Sequence, residues 1–148
     1  EGLVCDGAYG SVSENGLSIQ YNDFNYSNFS IEARFNYTEA QAMPVFVLSS
    51  YCRLVTYQIN ADGMVELQLN NGSIKVNTEV ACTKDSWHTA RIEYKNGSAA
   101  IYLDNEILAK QSVVLTETCA KGNTAEINVM NYSNGNGFKG VISSITIH

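Results

Sequence analysis

The strongest constraint in this chain is a period-2 alternation of apolar and polar residues, in short runs separated by Gly, Asn and Asp. Side chains alternate between the two faces of a β-strand, so each run predicts a strand with one buried face. Asn-Gly and Asp-Gly pairs accept the positive φ angles of tight hairpin turns. Helical periodicity is nearly absent, and the chain is therefore predicted to be all-β.

Two meanders carry this pattern. The first has turns at 61–63 and 71–72, and its runs are RLVTYQIN from Arg53, MVELQLN from Met64 and SIKVNTEV from Ser73. The second has turns at 96–97 and 104–105, and its runs are WHTARIEY from Trp87, SAAIYLD from Ser98 and EILAKQSV from Glu106. Weaker strands are predicted at 3–5, 29–36, 45–50, 125–130 and 138–147. About eleven or twelve short strands are typical of a two-sheet antiparallel β-sandwich, or jelly roll.

The length and the net charge of the chain limit its domain organisation and the partners that it can bind. The 148 residues contain no linker, charge run or repeat, so residues 1–148 are expected to form a single domain. A net charge of −6 argues against a nucleic-acid partner and against an anionic membrane surface, since both need clustered Lys and Arg. No apolar run approaches the roughly 18 residues that span a bilayer, so no membrane insertion is expected.

The cysteines favour an oxidising compartment. They are spread along the chain without a CxxC pair and with only two histidines, which disfavours zinc; they are Cys5, Cys52, Cys82 and Cys119. We predict two disulfides of open pairing, with buried free thiols as the alternative, and hence a secreted or cell-surface protein. Sequons for N-glycosylation support secretion only in a eukaryotic source, and begin at Asn25, Asn28, Asn36, Asn71, Asn96 and Asn131.

The alternation also assigns side chains to faces. The meander residues predicted to point into the core are Val65, Leu67, Leu69, Ile74, Val76, Ala90, Ile92, Tyr94, Ile101 and Leu103. Those on the opposite side are Glu66, Gln68, Lys75, Asn77, Glu79, Arg91, Glu93 and Tyr102. We interpret this second set as one broad polar sheet surface of mixed charge.

The segment WHTARIEYKNGSAAIYLD, from Trp87 to Asp104, resembles laminin G-like and pentraxin-like domains of the concanavalin A-like lectin/glucanase superfamily. Further pieces occur in the family's order: LVCDGAYGSV from Leu3, FSIEARF from Phe29 and FKGVISSITI from Phe138. The resemblance covers essentially the whole chain. It implies a concanavalin A-like sandwich that presents a ligand-binding surface.

One departure from the family concerns metal binding. Many relatives hold a structural calcium between the opening Asp-Gly turn and an acidic residue of the closing strand. Asp6 is present, but Ser143 and Ser144 stand where the family often carries Asp-Glu. Calcium needs about six to eight oxygen ligands. The resemblance therefore leaves one structural calcium open, with Asp6 as its candidate ligand.

Motifs for catalysis are missing from the sequence. There is no E-x-D-x-x-E strand to aim two carboxylates at a glycosidic bond and no G-x-S-x-G turn. Arg91, Gln68 and Tyr102 imitate part of a polysaccharide-lyase groove, but no histidine joins them, because His88 faces inward. Trp87 is assigned to the core. The sequence therefore predicts a protein that is not an enzyme.

A binding role has better candidates. Sugars are recognised by an aromatic ring together with planar polar side chains, and the polar surface offers Tyr102, Arg91, Glu93, Gln58, Gln68 and Asn77. A second candidate is the glycine-rich loop 131–138 with Tyr132 and Asn134, since loops on a rigid scaffold often carry recognition. Ordinary solvated sheet is the alternative for the first set.

Three hypotheses follow for function. The first is a non-catalytic, lectin-like module of a larger secreted or cell-surface protein, whose partner is a glycan or polysaccharide. The second is a laminin G-like adhesion domain that binds an extracellular protein or acts as a structural spacer. The third is an unfamiliar hydrolase or lyase, because a fold alone does not exclude activity.

Overall fold

The computed structural model describes residues 3–6, 17–40, 42–50, 52–115, 124–129 and 139–148, and these contain twelve β-strands and no helix. The strands are β1 Leu3–Asp6, β2 Leu17–Tyr21, β3 Asn28–Tyr37, β4 Met43–Ser49, β5 Arg53–Ile59, β6 Met64–Leu69, β7 Ile74–Ala81, β8 His88–Lys95, β9 Ser98–Leu103, β10 Glu106–Ser112, β11 Ala125–Val129 and β12 Lys139–Ile147.

The strands form two six-stranded antiparallel sheets. Sheet A has the order β1-β12-β3-β8-β9-β10, and sheet B has the order β2-β11-β4-β5-β6-β7. The prediction of an all-β, two-sheet antiparallel sandwich of the jelly-roll type is confirmed. Strand β2 was not predicted, because five residues of alternation beside an Asn- and Ser-rich segment do not stand out.

The predicted alternation sets the burial. In β3 the residues Ile31, Ala33 and Phe35 are fully buried, while Arg34 between them is exposed. Sheet B contributes its own inward residues, and the apolar side chains of both sheets form one core. Ile74 and Val76 were predicted inside but are only half-buried, because β7 is the edge strand of sheet B.

Tyrosine hydroxyls satisfy backbone carbonyls within this core. The fully buried Tyr57 of sheet B donates to the carbonyl oxygen of Tyr102 in sheet A at 2.9 Å. Burial raises the pKa of Tyr57 well above its usual value, so the phenol remains a neutral donor. Tyr94 donates to the carbonyl of Val113 in the same way, at 3.0 Å. A hydroxyl with a partner is tolerated inside a sandwich where an unpartnered one is costly.

The cysteines differ from the expectation at one position. Cys82 is a free thiol that is only 3% exposed, so the prediction that all four cysteines form disulfides is wrong there. The residue follows β7 and packs its side chain into the core, where the chain uses it as a small apolar group. Cys52 is disulfide-bonded. The side chains of Cys5 and Cys119 lie outside the described part, and the pairing stays open.

Gly140 lets β12 lie against β3. It is paired with Tyr37, and a Cβ placed on it would lie 2.0 Å from the carbonyl oxygen of Asn36 and 2.7 Å from the Cα of Tyr37. Its φ angle of +152° is also one that other residues rarely adopt. The glycine of the family-like closing segment is therefore a backbone requirement.

We expect Gly140→Ala to destabilise the fold by at least about 2 kcal/mol, because rigid backbone atoms occupy the position of the new methyl group. The measurement is the free energy of unfolding in urea. Ser144→Ala, at an exposed position of the same strand, is the matched control and should change stability by less than about 0.5 kcal/mol. Equal stability of the two variants would contradict the close approach.

The buried thiol predicts a pH effect. An exposed cysteine titrates near 9.0, whereas burial, aided by the charge of Asp104, raises the pKa of Cys82 to about 12. Above pH 9 the unfolded chain therefore releases a proton that the folded chain retains, so stability falls as the pH rises from 9 toward 12. Cys82→Ala removes this component. Urea unfolding at pH 8 to 11 should give a shallower decline for the variant, and identical slopes would refute the assignment.

Candidate functional site

The polar surface predicted from the sequence is divided between two faces. Strands β5 to β7 belong to sheet B and strands β8 to β10 to sheet A, so their outer faces point away from each other. The outer face of sheet A carries Arg91, Glu93 and Tyr102. The outer face of sheet B carries Gln58, Gln68 and Asn77. The prediction of one continuous surface is wrong, because alternation separates inside from outside but does not say which sheet a meander joins.

The outer face of sheet B is covered at its centre. Asn128, Val47 and Thr56 are cross-strand neighbours there, and all three are buried, with at most 7% of their surface exposed. The oxygen Oδ1 of Asn128 is buried without a hydrogen-bond partner. A ligand on this face would therefore contact its margins, which are a depression of about 220 Å³ lined by Gln20, Ser49 and Glu126, and the region of the predicted residues around β6 and β7.

The amides at that margin are already engaged. The Nε2 groups of Gln58 and Gln68 both donate to one oxygen of Glu66, at 3.1 and 3.4 Å. The Oδ1 of Asn77 accepts the backbone N–H of Glu79 at 3.0 Å, which shapes a local turn. The three residues expected to reach a sugar hydroxyl are thus bonded within the chain.

On sheet A the structure does bring the predicted residues together. Arg91 and Tyr102 are cross-strand partners of β8 and β9, and the guanidinium carbon lies 3.8 Å from the centre of the Tyr102 ring. Arg91 Nη1 donates to Oε1 of Glu93, and the Tyr102 hydroxyl donates to Oε2 of the same carboxylate at 3.2 Å. We call these three residues the Arg91 cluster. It joins an aromatic ring, a cation and an anion at one point of the outer face.

The electrostatics of the Arg91 cluster favour a neutral phenol. Loss of solvent raises the pKa of Tyr102, the hydrogen bond to Glu93 and its negative charge raise it further, and Arg91 opposes them. The Nε atom of Arg91 is buried without a partner. A depression of about 410 Å³ opens beside Glu93, lined among others by Ser30 and His148. The cluster therefore borders a space that a small polar group can enter.

Trp87 lies on this same outer face. It was assigned to the core, but 40% of its surface is exposed, so that prediction is wrong. The guanidinium of Arg34 lies 5.1 Å from the centre of its ring. Odd-numbered residues of this segment point outward with Arg91, so the alternation predicts an outward position for Trp87. The assignment to the core instead followed the general tendency of tryptophan to be buried.

His88 faces inward, as predicted, and is 8% exposed. Its Nδ1 lies 2.8 Å from Oδ2 of Asp104, and its Nε2 lies 2.7 Å from the carbonyl oxygen of Thr83. The other oxygen of Asp104 accepts the backbone N–H of Thr89 at 2.8 Å. The histidine and aspartate at the two ends of the family-like segment therefore join the start of β8 to the end of β9. Both ring nitrogens are occupied, so His88 is a structural residue.

The remaining candidates cannot be placed. Tyr132 and Asn134 lie outside the described residues, as does the side chain of Asp6. Within the described part no group of three or more His, Cys, Asp or Glu side chains is arranged to hold a metal ion. The calcium ion stays a prediction.

The described segments contain no helix with the length and hydropathy to cross a membrane.

No protein-family model and no curated protein matches the chain. Solved structures of similar fold include a sialidase of Trypanosoma rangeli in complex with 2,3-difluorosialic acid, at TM-score 0.74 and 10% identity over 99% of this chain and 25% of the sialidase. A heptameric SAP-like pentraxin of Limulus polyphemus gives 0.63 at 11% identity, over 95% and 73%. Domain 4 of AbnA, a Geobacillus stearothermophilus arabinanase in complex with arabinotriose, gives 0.62 at 15%, over 88% and 65%.

These likenesses confirm the concanavalin A-like sandwich fold, and membership of the laminin G-like family stays a prediction. The chain spans about a quarter of the length of the sialidase that it matches. The expectation that the protein is not an enzyme is contradicted, because structures of this fold include a sialidase and a module of an arabinanase. Missing sequence motifs were a weak basis for that expectation, since they test only the catalytic patterns already known.

The contacts of the Arg91 cluster predict a spectroscopic result. Glu93→Gln removes the carboxylate that raises the pKa of Tyr102, so that pKa should fall toward its usual value. The measurement is a phenolate absorbance titration, with Tyr102→Phe used to assign the signal. Glu66→Gln on sheet B is the matched control and should leave the signal unchanged. A Glu93→Gln titration that superimposes on that of the unmodified protein would show that the contact does not form.

Proposed function

We propose that this chain is a carbohydrate-binding β-sandwich domain of a secreted or cell-surface protein, and that its ligand lies on the outer face of sheet A. The observation that carries the proposal is the Arg91 cluster, in which Tyr102, Arg91 and Glu93 meet on an open sheet surface. Sugars need an apolar ring surface and directional donors and acceptors at the same place. Tyr102 supplies the ring surface that the Arg91 guanidinium does not cover, Arg91 the donors that do not bond to Glu93, and Glu93 the acceptor.

The choice of face follows from burial. The centre of the outer face of sheet B is closed, and its amides are bonded to Glu66. On sheet A the side chain of Glu93 is 42% exposed and that of Arg91 24% exposed, so both can reach a ligand. The fold is shared with proteins whose structures contain sialic-acid derivatives or arabinotriose, which supports a glycan as the ligand class. The disulfide at Cys52 supports an oxidising compartment.

The test is a glycan and polysaccharide array, followed by calorimetry with the best ligand. We expect Tyr102→Ala and Arg91→Ala each to weaken binding by about tenfold or more, because each removes a contact worth at least about 1.4 kcal/mol. Asn77→Ala and Gln58→Ala, on the outer face of sheet B, are the matched controls and should bind normally. Thermal melting of each variant separates lost contacts from lost folding.

Each other outcome has a defined meaning. Normal binding by both sheet A variants would overturn this site and direct attention to the loop of Tyr132 and Asn134. An array without any bound glycan would overturn the proposal and favour a protein partner, as the adhesion hypothesis predicts. Repeating the array with a chelator tests for calcium, and analysis of the incubated glycans for shortened or unsaturated products tests for catalysis.

A further inference from the structure

We propose that Arg34 and Trp87 form a second subsite on the outer face of sheet A, and that this subsite binds the carboxylate of an acidic sugar. The inference rests on the carbohydrate-binding function proposed above. It assigns a role to residues that the sequence analysis did not select, and it narrows the ligand from any glycan to one that carries an acidic residue beside a neutral one.

The two arginines of this face differ in whether an acidic side chain pairs with them. Arg91 is neutralised, because Glu93 accepts a hydrogen bond from its guanidinium. Arg34 forms no ion pair and no side-chain hydrogen bond within the described part of the chain. Glu32 lies two residues away on the same face of β3 but does not pair with it. Arg34 therefore retains a full charge for an external anion.

The side chain of Arg34 is also positioned to meet a ligand. Arg34 is exposed, and its cross-strand neighbours are Thr89 in β8 and Ser144 in β12, both of which are small hydroxyl residues. Its cation–π contact with Trp87 orients the guanidinium but uses none of its five N–H donors. A planar guanidinium with free donors matches the two oxygens of a carboxylate.

The two aromatic residues of this face are spaced further apart than one sugar ring. Trp87 immediately precedes β8, and Arg91 lies four residues further along the chain, which corresponds to about 13 Å of extended backbone. Tyr102 lies against Arg91. Each aromatic ring is accompanied by one arginine, so the face repeats a ring-plus-guanidinium unit. A ligand that contacts both units is longer than one sugar ring.

The charges of the two subsites also predict the orientation in which the ligand binds. Glu93 accompanies the ring of Tyr102 and repels a second anion, so that subsite suits a neutral sugar whose hydroxyls donate to the carboxylate. The subsite of Trp87 suits the acidic sugar. The net charge of −6 opposes diffuse attraction of polyanions, so recognition depends on the local contact with Arg34.

The experiment compares ligands that differ only in a carboxylate. Sialyllactose is paired with its methyl ester, and an oligosaccharide that carries one uronic acid beside a neutral sugar is paired with its own methyl ester, with calorimetry at low salt. We expect the acidic member of one pair to bind about tenfold or more tightly than its neutral partner. The pair that shows the preference identifies the acid as a sialic acid or a uronic acid.

Variants then test the assigned residue. Arg34→Gln should reduce the preference to about one while the neutral partner still binds. Ser144→Glu places a carboxylate opposite Arg34 and should abolish the preference, because the new carboxylate pairs with the Arg34 guanidinium. Ser144→Gln brings no charge and should retain the preference. Lys75→Gln, which removes the same charge from the outer face of sheet B, is the matched control and should retain the preference.

The two proposals can fail separately. Equal affinity for the two members of both pairs, or a preference that survives Arg34→Gln, would overturn the acidic subsite and leave carbohydrate binding intact. Absence of binding to all four ligands and to the array would overturn both. Salt-sensitive binding that Lys75→Gln weakens as much as Arg34→Gln would show general charge attraction and would also overturn the subsite.

Discussion

The structure depends on two sheets that each bury one side of every strand against the other. Burial of this apolar area is the main stabilising contribution, and it is available only if strand register keeps the apolar half of each alternating run on the inner face. Tyr57 shows how completely the interior is closed, because its hydroxyl reaches across the sandwich to a backbone carbonyl of the opposite sheet. The outer faces of the two sheets are then free to differ in exposure and in polar side chains, and in this protein they do.

The segments that resemble a known family serve this architecture. His88 and Asp104 join the ends of two neighbouring strands, and Gly140 allows a third strand to approach without a clash. Each of these residues is required by backbone geometry, and none of them lies in the proposed binding surface. The same segments carry the proposed binding residues at their outward positions, so their likeness to the family reports the shared backbone geometry and does not identify the ligand.

Strand positions and the direction of side chains could be predicted because both follow from local alternation. The pairing of the meanders into different sheets could not, because it depends on contacts between residues distant in sequence. The Arg91 cluster was therefore found as three residues, while Gln58, Gln68 and Asn77 were wrongly added to it. Trp87 was misplaced by a general tendency of its residue type. The state of Cys82 depends on core packing that spacing does not reveal.

Recognition on this protein is best understood through polar groups that the fold leaves without partners. Gln58 and Gln68 are polar but already donate to Glu66, so a ligand gains little by replacing bonds that already exist. Arg91 is partly satisfied, with one nitrogen bonded and another buried without a partner. Arg34 is exposed beside an aromatic ring, and no described residue forms an ion pair with it. Of these four side chains, the two that still lack hydrogen-bond or ion-pair partners therefore lie on the outer face of sheet A. We expect a ligand to gain the most binding free energy on that face.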